Sequence, residues 1–182
     1  MGLIIREIEV KGVLTKSNLP VADYSVNPYV GCAHGCKYCY ASFMKRFTNH
    51  PEPWGGFVDV KHWPPIQNPG RYAGKELFIG SVTDPYQPAE AEYGRTRALL
   101  EQMRGSGCAV SIATKSDLVL RDLDLIRTFP NARVSWSITR KPSLMFSVMA
   151  VNSSCRRFKS RICRWICLCW LRSLDSRGVS SS

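Results

Sequence analysis

Three short apolar runs recur at a regular distance: residues 76–80 (ELFIG), 109–113 (AVSIA) and 134–138 (VSWSI). Between the first two, residues 91–104 carry Leu99, Leu100 and Met103 at helical spacing, and Gly105 ends the run. Between the second and third, Leu118, Leu120, Leu123, Leu125 and Ile126 repeat that spacing until Pro130 stops it. Apolar strands that alternate with helices predict repeated βα units and a parallel sheet, an α/β class. Residues 26–30 add a strand, for about four in series.

The remaining elements are weaker. Residues 3–14 alternate apolar and charged side chains, which predicts a short strand ending near Gly12. Residues 15–25 contain Pro20 and read as a loop, and residues 40–50 (Ala41, Phe43, Met44, Phe47) as a helix stopped by Pro51. Residues 51–73 hold five prolines and three glycines and predict a long irregular connection.

Composition narrows the class. A chain of 182 residues can bury a core, and 45% hydrophobic with 21% charged residues is wrong for a disordered chain. No apolar run approaches 18 residues, so no membrane helix and no membrane partner are expected. The start, MGLIIREIEV, carries charge too early for a secretory signal and has no small-residue cleavage site. A cytoplasmic, reducing compartment is therefore expected, in which clustered cysteines read as metal ligands rather than disulfides. Cys108, with apolar neighbours, reads as a small buried hydrophobe.

The net charge of +11 suggests an acidic partner such as nucleic acid, until its location is counted. Residues 1–139 hold 16 Lys and Arg against 13 Asp and Glu, a net of +3. Residues 140–182 hold nine against the single Asp175, a net of +8. The chain divides accordingly into an extension (1–25), a core (26–139) and a basic, cysteine-rich, irregular tail (140–182). In the tail the βα rhythm stops and no clean period of 2 or 3.6 remains. Cys155, Cys163, Cys167 and Cys169 are spaced unlike known metal motifs. Other readings of the tail are a basic nucleic-acid arm or a membrane-surface segment. The shift in charge, the lost acids and the excess of cysteine and tryptophan lead us to expect a tail that is out of frame or a truncated gene.

The strongest motif is Cys32-Ala33-His34-Gly35-Cys36-Lys37-Tyr38-Cys39. Three thiolates within eight residues can wrap one soft metal centre, and Gly31 and Gly35 let the backbone curl by accepting positive φ. Zinc normally takes four ligands; no second Cys-x-x-Cys lies nearby, and His34, inside the loop, is awkwardly placed to be the fourth. Three cysteines suit a [4Fe–4S] cluster that leaves one iron for an outside ligand.

This spacing, with Tyr38 before the last cysteine and Tyr40 after it, is similar to that of the radical S-adenosylmethionine superfamily. Leu14-Thr15-Lys16-Ser17, Asn27-Pro28-Tyr29-Val30-Gly31-Cys32, the segment from Gly80 to Pro88 with Glu90, Ala113-Thr114-Lys115-Ser116 and Arg121-Asp122 resemble its spore photoproduct lyase-like branch. That branch includes DNA repair photolyases. The resemblance covers about residues 8–139.

The resemblance implies the first four βα units of a partial TIM-type barrel. It implies that Cys32, Cys36 and Cys39 hold a [4Fe–4S] cluster whose fourth iron binds S-adenosylmethionine. One-electron cleavage of that cofactor would give a 5′-deoxyadenosyl radical that abstracts hydrogen from substrate, with the cofactors doing the hard chemistry. Tyr38 would pack near the adenine, Thr83 and Asp84 would lie at the ligand-binding end of a strand, and Lys115 would pair with the methionine carboxylate. The ordinary alternatives are a core aromatic, a turn-forming Thr-Asp-Pro and a solvated lysine. Tyr86 and Gln87 read as loop packing ahead of a substrate-side role, and His50 and His62 as structural or exposed. The implied partners are an electron donor of flavodoxin or ferredoxin type and DNA, the latter without support from the core charge. No catalytic residue is assigned: the lyase's hydrogen-donor cysteine has no counterpart in matching context. The alternative is a catalytically inactive iron–sulfur or nucleic-acid-binding remnant.

Overall fold

The computed structural model describes residues 2–18 and 20–137, and the backbone of residues 148–150. The structure is mixed α/β with two sheets. Four strands run parallel in sequence order: β3 (Tyr24–Val26), β6 (Glu76–Ile79), β7 (Ala109–Thr114) and β8 (Arg133–Trp136). β6, β7 and β8 are strands expected from the βα rhythm, whereas β3 meets the expected strand only at Val26 and lies otherwise in the stretch read as a loop. The short β2 (Leu14–Lys16) flanks them antiparallel on the β3 side and β9 (Val148–Ala150) antiparallel on the β8 side, giving the order β2-β3-β6-β7-β8-β9. The sheet is open, and no closed barrel forms among the described residues.

Alternation along β6 and β7 decides which face is covered. Leu77, Ile79, Val110 and Ile112 are buried, whereas Phe78, Ser111 and Ala113 are half-exposed. The buried side packs on Leu99, Leu100 and Met103 of α2 (Arg95–Met103) and on Leu125 and Ile126 of α3 (Leu123–Ile126). One face of these parallel strands is thus dry, and the other keeps partial contact with solvent.

Three expectations need correction. The strand placed at residues 26–30 is two strands: β3 ends at Val26, and β4 (Tyr29–Gly31) belongs to the second sheet. Pro28 has no N–H for a ladder, so the chain turns there and changes sheets. The irregular connection 51–73 contains β5 (Phe57–His62), the central strand of the order β1-β5-β4, with β1 spanning Ile4–Glu9. Phe57, Val58, Asp59 and Val60 are buried in it. Prolines on both sides of this six-residue strand hide it from a composition reading. The helix expected at 91–104 is α1 (Glu90–Tyr93) and α2, broken where Gly94 takes a left-handed φ of 57°.

The other helices are tight. Residues 40–50 give a 3-10 helix over Tyr40–Phe47, and the run expected at 118–129 is a 3-10 turn, Asp117–Asp122, leading into α3. Residues 1–25, set apart above as an extension, carry β1 of one sheet and β2 and most of β3 of the other. β9 supplies three residues of strand within the segment expected to be irregular. The rest of that tail, with Cys155, Cys163, Cys167 and Cys169, lies outside the described residues. No helix among the described residues is long and apolar enough to cross a membrane.

Candidate functional site

The cysteine loop leaves β4 through Gly31, whose φ is 80°, and passes Gly35 at 51°. Both values fall where glycine was expected to be needed. At Gly31 space adds to torsion: a Cβ would stand 2.4 Å from the Phe57 carbonyl oxygen, so no larger residue can begin this loop unmoved. Short turns then shape it, Gly35 N donating to Cys32 O (3.2 Å) and Cys39 N to Cys36 O (3.0 Å).

A cavity of about 290 Å³ lies against this loop at the carboxyl ends of β6 and β7. Ligands of α/β sheets bind at that end by general rule. Its lining includes Cys32, Cys36, Cys39, Tyr38, Thr83, Asp84 and Lys115, so one cavity gathers every expected metal-ligating and cofactor-binding residue. Among the described residues, no three His, Cys, Asp or Glu side chains are drawn tightly enough to hold a single metal ion.

These residues fall into two kinds. Tyr38, 58% exposed, and Lys115 stand at the mouth. Lys115 Nζ donates to the Tyr38 hydroxyl at 3.3 Å and lies 5.3 Å from its ring centroid. Thr83 and Asp84, in contrast, are buried and bonded into the protein. Thr83 Oγ1 donates to the Gly31 carbonyl (2.5 Å). Asp84 accepts from Thr114 Oγ1 (2.7 Å) and from the amides of Lys115 (2.7 Å) and Tyr86 (2.9 Å), with His34 Nε2 at 3.1 Å. Burial alone would raise the Asp84 carboxyl. Its contacts with His34, Thr114 and the two amides outweigh that, and it sits below the usual carboxylate range.

Cys32 is the buried member of the triad. Burial pushes its thiol up to about 11, while the amides of Asp84 and His34 donate to the sulfur and act against that rise. Amide donors to sulfur are among the groups that tune iron–sulfur centres. His34 meets Asp84, and so ties the cysteine loop to the ends of β6 and β7.

Other residues of the motif segments hold the surroundings together. Asn27 joins the ends of β3 and β6, donating to Ser81 Oγ (2.9 Å) and accepting from Val82 N (3.0 Å). The Tyr40 hydroxyl donates to the Ser81 carbonyl across the cavity. Tyr86 and Gln87 are fully buried, which fits loop packing. His50 is structural: buried, stacked on Phe57 at 3.9 Å, with Asp59 at 2.8 Å and Glu52 at 3.0 Å from its ring nitrogens. His62 meets Glu7 at 2.8 Å. Cys108 is buried far along the chain, as expected of a small apolar side chain.

Comparison with known proteins finds relatives that carry no assigned activity. An uncharacterized protein of Methanocaldococcus jannaschii is 37% identical over 134 residues, which is 74% of this chain and 51% of that protein. An uncharacterized protein of Mycobacterium tuberculosis is 31% identical over 140 residues, 69% of this chain and 40% of that one. An uncharacterized protein of Acidianus two-tailed virus is 32% identical over 121 residues, 58% and 38% respectively. The chain thus spans about half the length of the first of these and less of the others. No family model matches. No solved structure matches.

Proposed function

We propose that residues 26–137 are the first part of a radical S-adenosylmethionine fold of the spore photoproduct lyase-like kind. In this reading Cys32, Cys36 and Cys39 hold a [4Fe–4S] cluster. The observation that carries it is the convergence of all three cysteines of the motif on one cavity at the carboxyl ends of parallel strands. The donor set fits: a single zinc draws four donors to about 2.0–2.3 Å, whereas three thiols around a larger cavity suit a body in which each takes its own iron. Held by Cys32, Cys36 and Cys39, such a centre would supply the one electron needed for reductive cleavage of S-adenosylmethionine to methionine and a 5′-deoxyadenosyl radical, which would take a hydrogen atom from substrate.

The chain's own residues divide the remaining work. Lys115, at the mouth, presents a cation to a carboxylate, and Tyr38 presents a ring face to a flat heterocycle. Thr83 and Asp84 act from behind by holding the loop, since their polar atoms are occupied by protein partners. Gly31 and Gly35 give the loop its curl. An electron donor of flavodoxin or ferredoxin type is the partner this reading requires. The substrate and the activity of the longer relatives belong to the proposal as well, with DNA as the substrate suggested by the branch.

Anaerobic reconstitution with iron and sulfide tests it. About four irons per chain and reductant-dependent formation of 5′-deoxyadenosine are the expected results. A chain that holds the cluster yet forms no 5′-deoxyadenosine is the inactive remnant instead, and one that binds zinc but no iron contradicts the reading.

A further inference from the structure

Gln87 is 0% exposed, and its carboxamide brackets Cys32. Its Oε1 accepts from the Ala33 amide at 2.8 Å, one residue after the cysteine. Its Nε2 donates to the Gly31 carbonyl at 3.5 Å, one residue before it, and to Thr83 Oγ1 at 3.2 Å. The Thr83 hydroxyl already donates to that carbonyl, so its oxygen needs a donor, whereas Ala33 needs an acceptor. Only a group with both functions satisfies the two sides, and a carboxamide has both. The other backbone bonds of the loop are local turns, so Gln87 and Thr83 fasten its entry to the segment after β6.

We propose that Gln87 is a positioning residue: it fixes the backbone on both sides of Cys32 and so sets where that thiol stands in the cavity, without touching any ligand.

The test compares two cysteines of the same molecule. The full chain, without added iron, is treated with N-ethylmaleimide under native conditions, and modification is followed cysteine by cysteine by mass spectrometry. Cys108, also buried, reports opening of the whole core. Removing the acceptor of the Ala33 amide and the donor to the Thr83 oxygen opens the loop locally, so Gln87→Met is expected to raise the Cys32 rate roughly tenfold or more relative to Cys108. Gln87→Glu keeps the acceptor for Ala33 and is expected to give an intermediate rate. Cys32 and Cys108 accelerating together would mark Gln87 as an ordinary core residue, and an unchanged Cys32 rate in both variants would also overturn the proposal. After reconstitution, Gln87→Met is expected to shift the reduction potential of the centre at unchanged iron content; an unshifted potential counts against positioning. That second arm rests on the iron–sulfur reading. A wild-type chain that takes up no iron fails that reading, while the maleimide comparison still decides the role of Gln87.

Discussion

Cys36→Ala is expected to abolish reductant-dependent 5′-deoxyadenosine formation and to leave the reconstituted chain without the visible absorbance of an iron–sulfur centre. The loss should exceed about 100-fold, beyond the 10–100-fold that follows from disturbing a supporting group around a metal. Cys36 suits this test because it lines the cavity and is half-exposed, so its removal leaves the packing around Cys32 in place. The fold of the variant is expected to unfold at an unchanged denaturant midpoint without iron, which separates lost chemistry from lost structure. A Cys36→Ala protein that still forms 5′-deoxyadenosine would exclude the site.

The second large effect is on stability, at a charge network away from the cavity. Glu90 is 0% exposed, and its carboxylate accepts four hydrogen bonds at once. It accepts from Tyr29 OH, from the amides of Thr96 (2.8 Å) and Arg97 (3.1 Å), and from Arg121 Nη2 (2.7 Å), while its own carbonyl accepts from Arg121 Nη1 (3.2 Å). The two amides are orphan donors of the first turn of α2, so Glu90 caps that helix as well as pairing a charge. Arg121 continues to Asp122, also 0% exposed, which holds Arg97 at 2.7 Å. Removing one member of a buried pair leaves the other uncompensated and costs about 3–5 kcal/mol. Arg121 keeps 31% of its side chain in solvent, so Glu90→Ala is expected near the lower end, about 3 kcal/mol. Each kcal/mol lowers the melting temperature by roughly 2–4 °C at this chain length.

The same network sets an acid limit. Burial raises the Asp122 carboxyl, but hydrogen bonds from Arg121 and Arg97 hold it below the usual range. A carboxyl depressed in the folded state adds stability that is fully present above its unfolded value of about 3.9 and is lost as pH falls through the folded value. Asp84 is depressed as well, so the wild-type melting temperature is expected to fall as pH drops below about 4. Asp122→Asn should start lower at neutral pH and fall less steeply. An equal acid slope in both proteins would contradict this assignment.

What could be read from the chain depended on how local its cause was. β6, β7 and β8 were legible because each is a continuous apolar run between helical patterns, and a run of that kind has few other uses. β5 was not, because its burial comes from β1 and β4 on either side, which are far away in sequence. The change of sheet at Pro28 is a local signal, but only its consequence in three dimensions shows that the motif segment from Asn27 to Cys32 joins two sheets. The three cysteines and the glycines that curl their loop were legible from spacing alone. The roles of Thr83 and Asp84 were not: both line the cavity as expected, yet their oxygens are committed to Gly31, Thr114 and Lys115. Gln87 had no signal beyond its motif neighbourhood, since its importance lies in two hydrogen bonds made 54 and 56 residues away.

The proposed iron–sulfur centre would leave one iron open to S-adenosylmethionine. Electron paramagnetic resonance of the dithionite-reduced, reconstituted chain addresses it directly. The expected result is the signal of a reduced [4Fe–4S] cluster that changes shape when S-adenosylmethionine is added, because the cofactor would bind at the open iron. A cluster signal that S-adenosylmethionine leaves unaltered, or no cluster signal at all, would contradict the proposal.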